Sequence, residues 1–65
     1  MKKTLSELID ELSITNEKIY HLVDRIESGD FEKEDAVKLQ SLNKYRSKLK
    51  NAISEWARER METKT

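Results

Sequence analysis

The chain has no cysteine, no proline and a single glycine in its 65 residues. Without cysteine, neither a disulfide framework nor a thiolate metal site can hold it together, and stability has to come from packing. Without proline, and with glycine only at position 29, the punctuation of turn-rich and β-rich folds is missing, as are aromatic residues beyond 6%. Long apolar runs are absent too. Met1-Lys2-Lys3-Thr4 is followed at once by Glu7, Asp10 and Glu11, so neither a signal peptide nor a membrane span is expected there. The expectation is a cytoplasmic protein with no membrane contact.

What is present is charge and helical periodicity. Forty per cent of the residues are charged, thirteen basic and thirteen acidic, so the net charge is zero. The halves differ, however. Residues 1–32 carry four Lys/Arg against eight Asp/Glu, a balance of −4, and residues 33–65 carry nine against five, a balance of +4. An acidic half is followed by a basic one.

Thr4 with Glu7 three residues later forms a capping box, in which each side chain satisfies a free N–H of the other's first turn. From there Leu5, Leu8, Ile9, Leu12, Ile19, Val23 and Ile26 recur at spacings of three and four, with a gap at Thr15-Asn16. Ser28-Gly29-Asp30 ends this run, because glycine takes the left-handed conformation past a last turn without a Cβ clash. Phe31 then precedes Glu32-Lys33-Glu34-Asp35, whose carboxylates favour a helix N-terminus. Phe31 against Ala36 reads as a hydrophobic staple, with Glu32 and Asp30 as rival caps. Leu39, Leu42, Tyr45, Leu49, Ala52, Ile53 and Trp56 continue the rhythm.

These signals predict an all-α chain with one domain. A first helix covers about residues 4–28, a turn 29–32, a second helix about 33–61, and the last residues, Thr63-Lys64-Thr65, fray. Folding back at Gly29 pairs positions whose numbers sum to about 61 or 62, so Val23 meets Leu39, Ile19 meets Leu42, Leu12 meets Leu49 and Leu5 meets Trp56. Asn16 then faces Tyr45 and Arg46, a polar layer of the kind that fixes register. A two-helix antiparallel hairpin of this size leaves its apolar stripes half open, so a homodimer forming a four-helix bundle is expected. Its interface is expected to use Leu5, Leu8, Leu12, Asn16, Ile19, Leu22, Val37, Leu42, Tyr45, Leu49 and Trp56, with Leu22 and Val37 on the flanks.

No residue set amounts to a catalytic or cofactor signature. His21 is the sole histidine; Glu17 and Asp24 share its helix face, but one face offers too little convergence for a metal. Ile14, His21, Trp56 and Arg60 remain as a surface for a protein partner. Lys44, Arg46, Lys48 and Lys50 lie in a stretch from Ala36 to Ser54 that has no acidic residue, and they are candidate contacts to a nucleic-acid backbone.

Three resemblances bear on this reading. Ile9-Asp10-Glu11, Asn16, Ile19, Leu22-Val23 and Arg25 resemble the opening helix of the all-helical chorismate mutases. Those enzymes grip a dicarboxylate with several arginines and a lysine, whereas this helix has Lys18 and Arg25 alone, so the activity is not carried over. Leu39-Gln40-Ser41-Leu42-Asn43 is similar to the Ser-Gln-Glu-Leu-Asp run of small hairpin phosphatases acting on sporulation response regulators. Here Asn43 replaces the acid and the serine is displaced. The eleven residues Leu12-Ser13-Ile14-Thr15-Asn16-Glu17-Lys18-Ile19-Tyr20-His21-Leu22 resemble a first-helix segment of uncharacterised bacterial and phage helical proteins, which draws notice to Asn16 and His21 without implying an activity. The expectation is a non-enzymatic regulatory or adaptor protein of bacterial or phage origin, with a dimeric RNA-binding hairpin as the alternative.

Overall fold

A computed structural model describes residues 3–62 of the chain. Two helices, α1 (Leu5–Glu27) and α2 (Lys33–Glu62), pack against each other as an antiparallel hairpin. The predicted fraying of Thr63-Lys64-Thr65 lies outside the described residues.

The capping box at the start of α1 is present: Thr4 Oγ1 accepts from the Glu7 N–H at 3.2 Å, and the Glu7 carboxylate accepts from the Thr4 N–H at 3.3 Å. At the other end Gly29 takes φ 77°, and two bonds close the helix, Gly29 N–H to the Ile26 carbonyl and Asp30 N–H to the Arg25 carbonyl, both 3.1 Å. This is a Schellman ending, in which a left-handed residue satisfies carbonyls that the last turn leaves open. Asp30 thus closes α1 and does not cap α2. Glu32 stands before α2, and its N–H donates to Asp35 Oδ2 at 2.9 Å. Phe31 is 48% exposed and Ala36 is exposed, so the expected staple between them encloses neither residue.

Asp35 also binds Arg25 Nη2 at 3.1 Å, across the turn from the last turn of α1. Its carboxylate is buried, whereas the arginine is half open to water. One side chain therefore caps α2 and ties it to α1.

Further from the turn, Arg46 Nε donates to Asn16 Oδ1 at 2.9 Å, and Tyr45 donates to Glu11. Asn16 with Arg46 keeps the register expected from folding at Gly29, and Arg25 with Asp35 comes within one residue of it. The Glu11 and Tyr45 pair is a diagonal reach of about one turn between two long side chains.

The seam is thin. Leu8 and Leu49, at 2% and 0% exposure, are the only buried apolar side chains among the described residues. Leu5, Leu12, Ile19, Leu22, Val23 and Ile26 of α1 are half-buried, as are Leu39, Leu42, Tyr45, Ala52, Ile53 and Trp56 of α2. Ile9, expected in the stripe, is 48% exposed: it follows Leu8 by 100° around the helix, which carries it past the contact line. Thr15 fills the expected gap instead and is 4% exposed. Leu22, expected on a flank, is half-buried beside the seam, while Val37 stays open at 59%. Leu8 and Leu49 are enclosed by one hairpin, so a second copy has nothing left to cover there.

Asp35→Ala removes both a cap and a cross-turn ion pair, and is expected to lower unfolding free energy by about 1–2 kcal/mol. Asp35→Asn keeps an oxygen for the Glu32 N–H and should lose clearly less. Urea melts of the two variants check the order; equal losses contradict it.

Candidate functional site

The Asn16–Arg46 and Glu11–Tyr45 hydrogen bonds mark opposite sides of the hairpin. Residues at helical spacing from Asn16 and Arg46 share one side: Leu5, Ile9, Leu12, Tyr20, Val23 and Glu27 on α1, and Leu39, Leu42, Lys50, Ile53 and Ala57 on α2. This side is mostly apolar. Residues spaced from Glu11 and Tyr45 share the other: Glu7, Ile14, Lys18 and Leu22 on α1, and Ser41, Lys48, Ala52 and Glu55 on α2. That side alternates charge with isolated apolar residues.

The Asn16 and Arg46 pair sits at mid-height of the apolar side, both residues half-buried. A guanidinium has five donors in a fixed fork, and this hydrogen bond uses one. The layer therefore carries unused donor capacity in the middle of an apolar surface.

On the charged side Glu11 accepts from both Lys3 and Tyr45. The Lys3 ammonium first, and the Tyr45 hydroxyl second, hold the Glu11 carboxyl below its ordinary range. The same carboxylate raises Lys3 and Tyr45. A lowered acid contributes stability above its ordinary value and loses it as pH falls through the lowered one. A raised base or phenol contributes below its ordinary value and loses it as pH rises through the raised one.

The residues expected to meet a protein partner are not brought together. Ile14 (51% exposed) and His21, seven residues apart, share the outer edge of α1. Trp56 lies far off, at the open end of the hairpin, with the Arg60 guanidinium 5.1 Å from its ring centre. A depression of about 180 Å³ beside Trp56 is lined by Lys3, Leu8, Ala52, Glu55 and Glu59, and a larger one of about 370 Å³, among the described residues, by Lys48, Asn51, Ala52 and Glu55 of α2. The first is smaller than the usual small-molecule cavity, and the second, among the described residues, has a single helix for a wall. Among the described residues no three His, Asp or Glu side chains gather as a metal site requires. No helix among them is long and apolar enough to cross a membrane.

The basic residues separate as well. Lys44 and Lys48, four apart, share one edge of α2; Arg46 and Lys50 share another, and Arg46 is bonded to Asn16. The sequence reading missed Asp35 as a buried cross-turn partner and Glu11 as the bridge between Lys3 and Tyr45. A basic and an acidic residue placed symmetrically about Gly29, as Arg25 and Asp35 nearly are, was the available signal for the first.

Compared with known proteins, the chain matches no family model, no curated protein and no solved structure.

Glu11→Gln is expected to flatten part of the loss of stability in acid, and part of that above about pH 10, with a small effect near neutrality because all three groups are accessible to water. Thermal melts across the pH range check it. Parallel wild-type and variant curves at both extremes count against the cluster.

Proposed function

We propose that this protein acts without catalysis, as a small helical adaptor or regulator that binds another protein and associates with a second copy of itself. The observation that carries the proposal is the exposed apolar surface: Ile9 and Tyr20 on one side, Ile14 and Val37 elsewhere, around a seam that one hairpin only half covers. Surfaces of that kind mark sites of contact with other macromolecules. Ile14 is the candidate contact for the heterologous partner, since it projects among Glu11, Lys18 and Glu7, away from the apolar side.

A second reading, nucleic-acid binding by the basic helix, is favoured by the absence of any acid between Ala36 and Ser54 and by the exposed Lys44 and Lys48 on one edge. It is weakened by the division of the four basic residues between two edges and by the acidic helix packed alongside.

A pull-down comparing wild type with Ile14→Asp tests the adaptor reading. Loss of one specific protein in the variant, with the hairpin still folded by circular dichroism, supports it; unchanged recovery clears Ile14 of the role. For the nucleic-acid reading, a mobility shift with mixed RNA and DNA at low salt should show retention that weakens in Lys44→Glu/Lys48→Glu. Absence of retention removes it.

A further inference from the structure

The surface available for self-association is larger than a compact molecule would leave open. The chain exposes 5510 Å² and spans 53 × 17 × 15 Å, with a radius of gyration of 15.1 Å. A compact monomer of 7.7 kDa exposes about 4300 Å², and a compact 65-residue chain has a radius of gyration of about 11 Å. The excess, on the order of 1000 Å², is comparable with the ~800 Å² that each partner contributes to a stable protein interface.

The side that fits such a partner is the apolar one. Ile9 at 48% and Tyr20 at 70% exposure flank the half-buried Leu5, Leu12, Ile19, Val23, Leu39, Leu42 and Ile53. The opposite side carries Glu7, Glu11, Lys18, Lys48 and Glu55 at equivalent positions, and burying it would strip water from several charges.

Two hairpins laid face to face on this side can be related by a two-fold axis across the helices or by one along them. An axis across sets α1 on the partner's α1 and α2 on the partner's α2. An axis along sets α1 on the partner's α2, antiparallel, with both turns at the same end. The charges separate these arrangements. Over Leu5–Glu27, α1 has two basic and six acidic residues, a balance of −4; over Lys33–Glu62, α2 has eight and five, a balance of +3. The crossing axis therefore stacks like on like, and the parallel axis stacks acidic on basic. The parallel axis also holds every layer at the height of its own copy. The Asn16 and Arg46 pair then meets the partner's equivalent pair, and the free donors of Arg46 come within reach of an amide oxygen across the interface.

We propose that the occupant of the apolar side is a second copy of this chain, related by a two-fold axis along the helices, so that α1 packs on the partner's α2 and the Asn16 and Arg46 layers coincide. This rests on the self-association read above and adds to it a face and a direction. In this arrangement Ser13 of one chain lies near Lys50 of the other, both being exposed at matching heights on the apolar side. Within one hairpin they project from separate helices, away from the seam.

The chain has no cysteine, so introduced thiols report cleanly. Wild type sediments first, at micromolar concentration, where about twice the 7.7 kDa chain mass is expected. Ser13→Cys chains are then refolded together with Lys50→Cys chains and treated with a short bismaleimide. A covalent dimer formed in the mixture, and by neither variant alone, supports the proposal. A wild-type dimer whose mixed thiols fail to link overturns the direction and leaves self-association standing; a monomer overturns both. As a second measurement, Ile9→Glu/Tyr20→Lys should weaken the dimer by about tenfold or more, whereas Ile14→Glu/Val37→Glu should not. All four residues are exposed in the single hairpin, so its folding is little changed by either pair, and the reverse pattern places the interface on the opposite side and overturns the proposal.

Discussion

Two helices side by side touch along one line, and the rest of this molecule follows from that geometry. Only side chains on the line itself are enclosed from both directions, which is why Leu8 and Leu49 are buried while their neighbours one turn away remain half open. A third or fourth helix is the ordinary solution, since a bundle closes the grooves that a pair leaves open. The described residues supply two helices and no third, and the apolar residues bordering the line are placed as though another surface meets them.

Given so thin a seam, polar interactions set the register. Asp35 and Arg25 tie the helices beside the turn, Asn16 and Arg46 tie them at mid-height, and Glu11 links Tyr45 to Lys3 toward the open end. Apolar contacts slide with little change in energy, whereas a hydrogen-bonded pair accepts one alignment. The division of labour suits a hairpin with few enclosed side chains: leucines supply attraction and polar pairs supply position.

Much of the fold was legible in the sequence because its signals are local. The capping box at Thr4 and Glu7, the left-handed Gly29 and the three-and-four spacing each depend on residues within one or two turns of one another. Pairing across the turn followed from the position of Gly29 alone. Less legible was anything that depends on angle around the helix axis. Ile9 proved to lie outside the seam and Thr15 within it, because a stripe read by spacing has a centre that only the packed partner fixes. Asp35 was misjudged for a related reason. Acidic residues in a first turn are common on grounds of the helix dipole, so nothing local distinguishes one that is buried against an arginine ten residues earlier.

The candidate site was legible only as an inventory. Ile14, His21, Trp56 and Arg60 looked like one surface because each seemed unused, yet α1 and α2 carry them to different edges and ends. Lys44, Arg46, Lys48 and Lys50 looked like one basic run because they are adjacent in sequence, yet a step of 100° per residue divides them into two pairs. The same step gathers Leu5, Ile9, Leu12, Tyr20 and Val23 with residues of α2 that lie from 16 to 52 positions away along the chain. Function in a molecule this small is therefore a property of sides, and the apolar side, with a polar pair at its centre and opposite net charge on its two helices, is the one whose chemistry is complementary to itself.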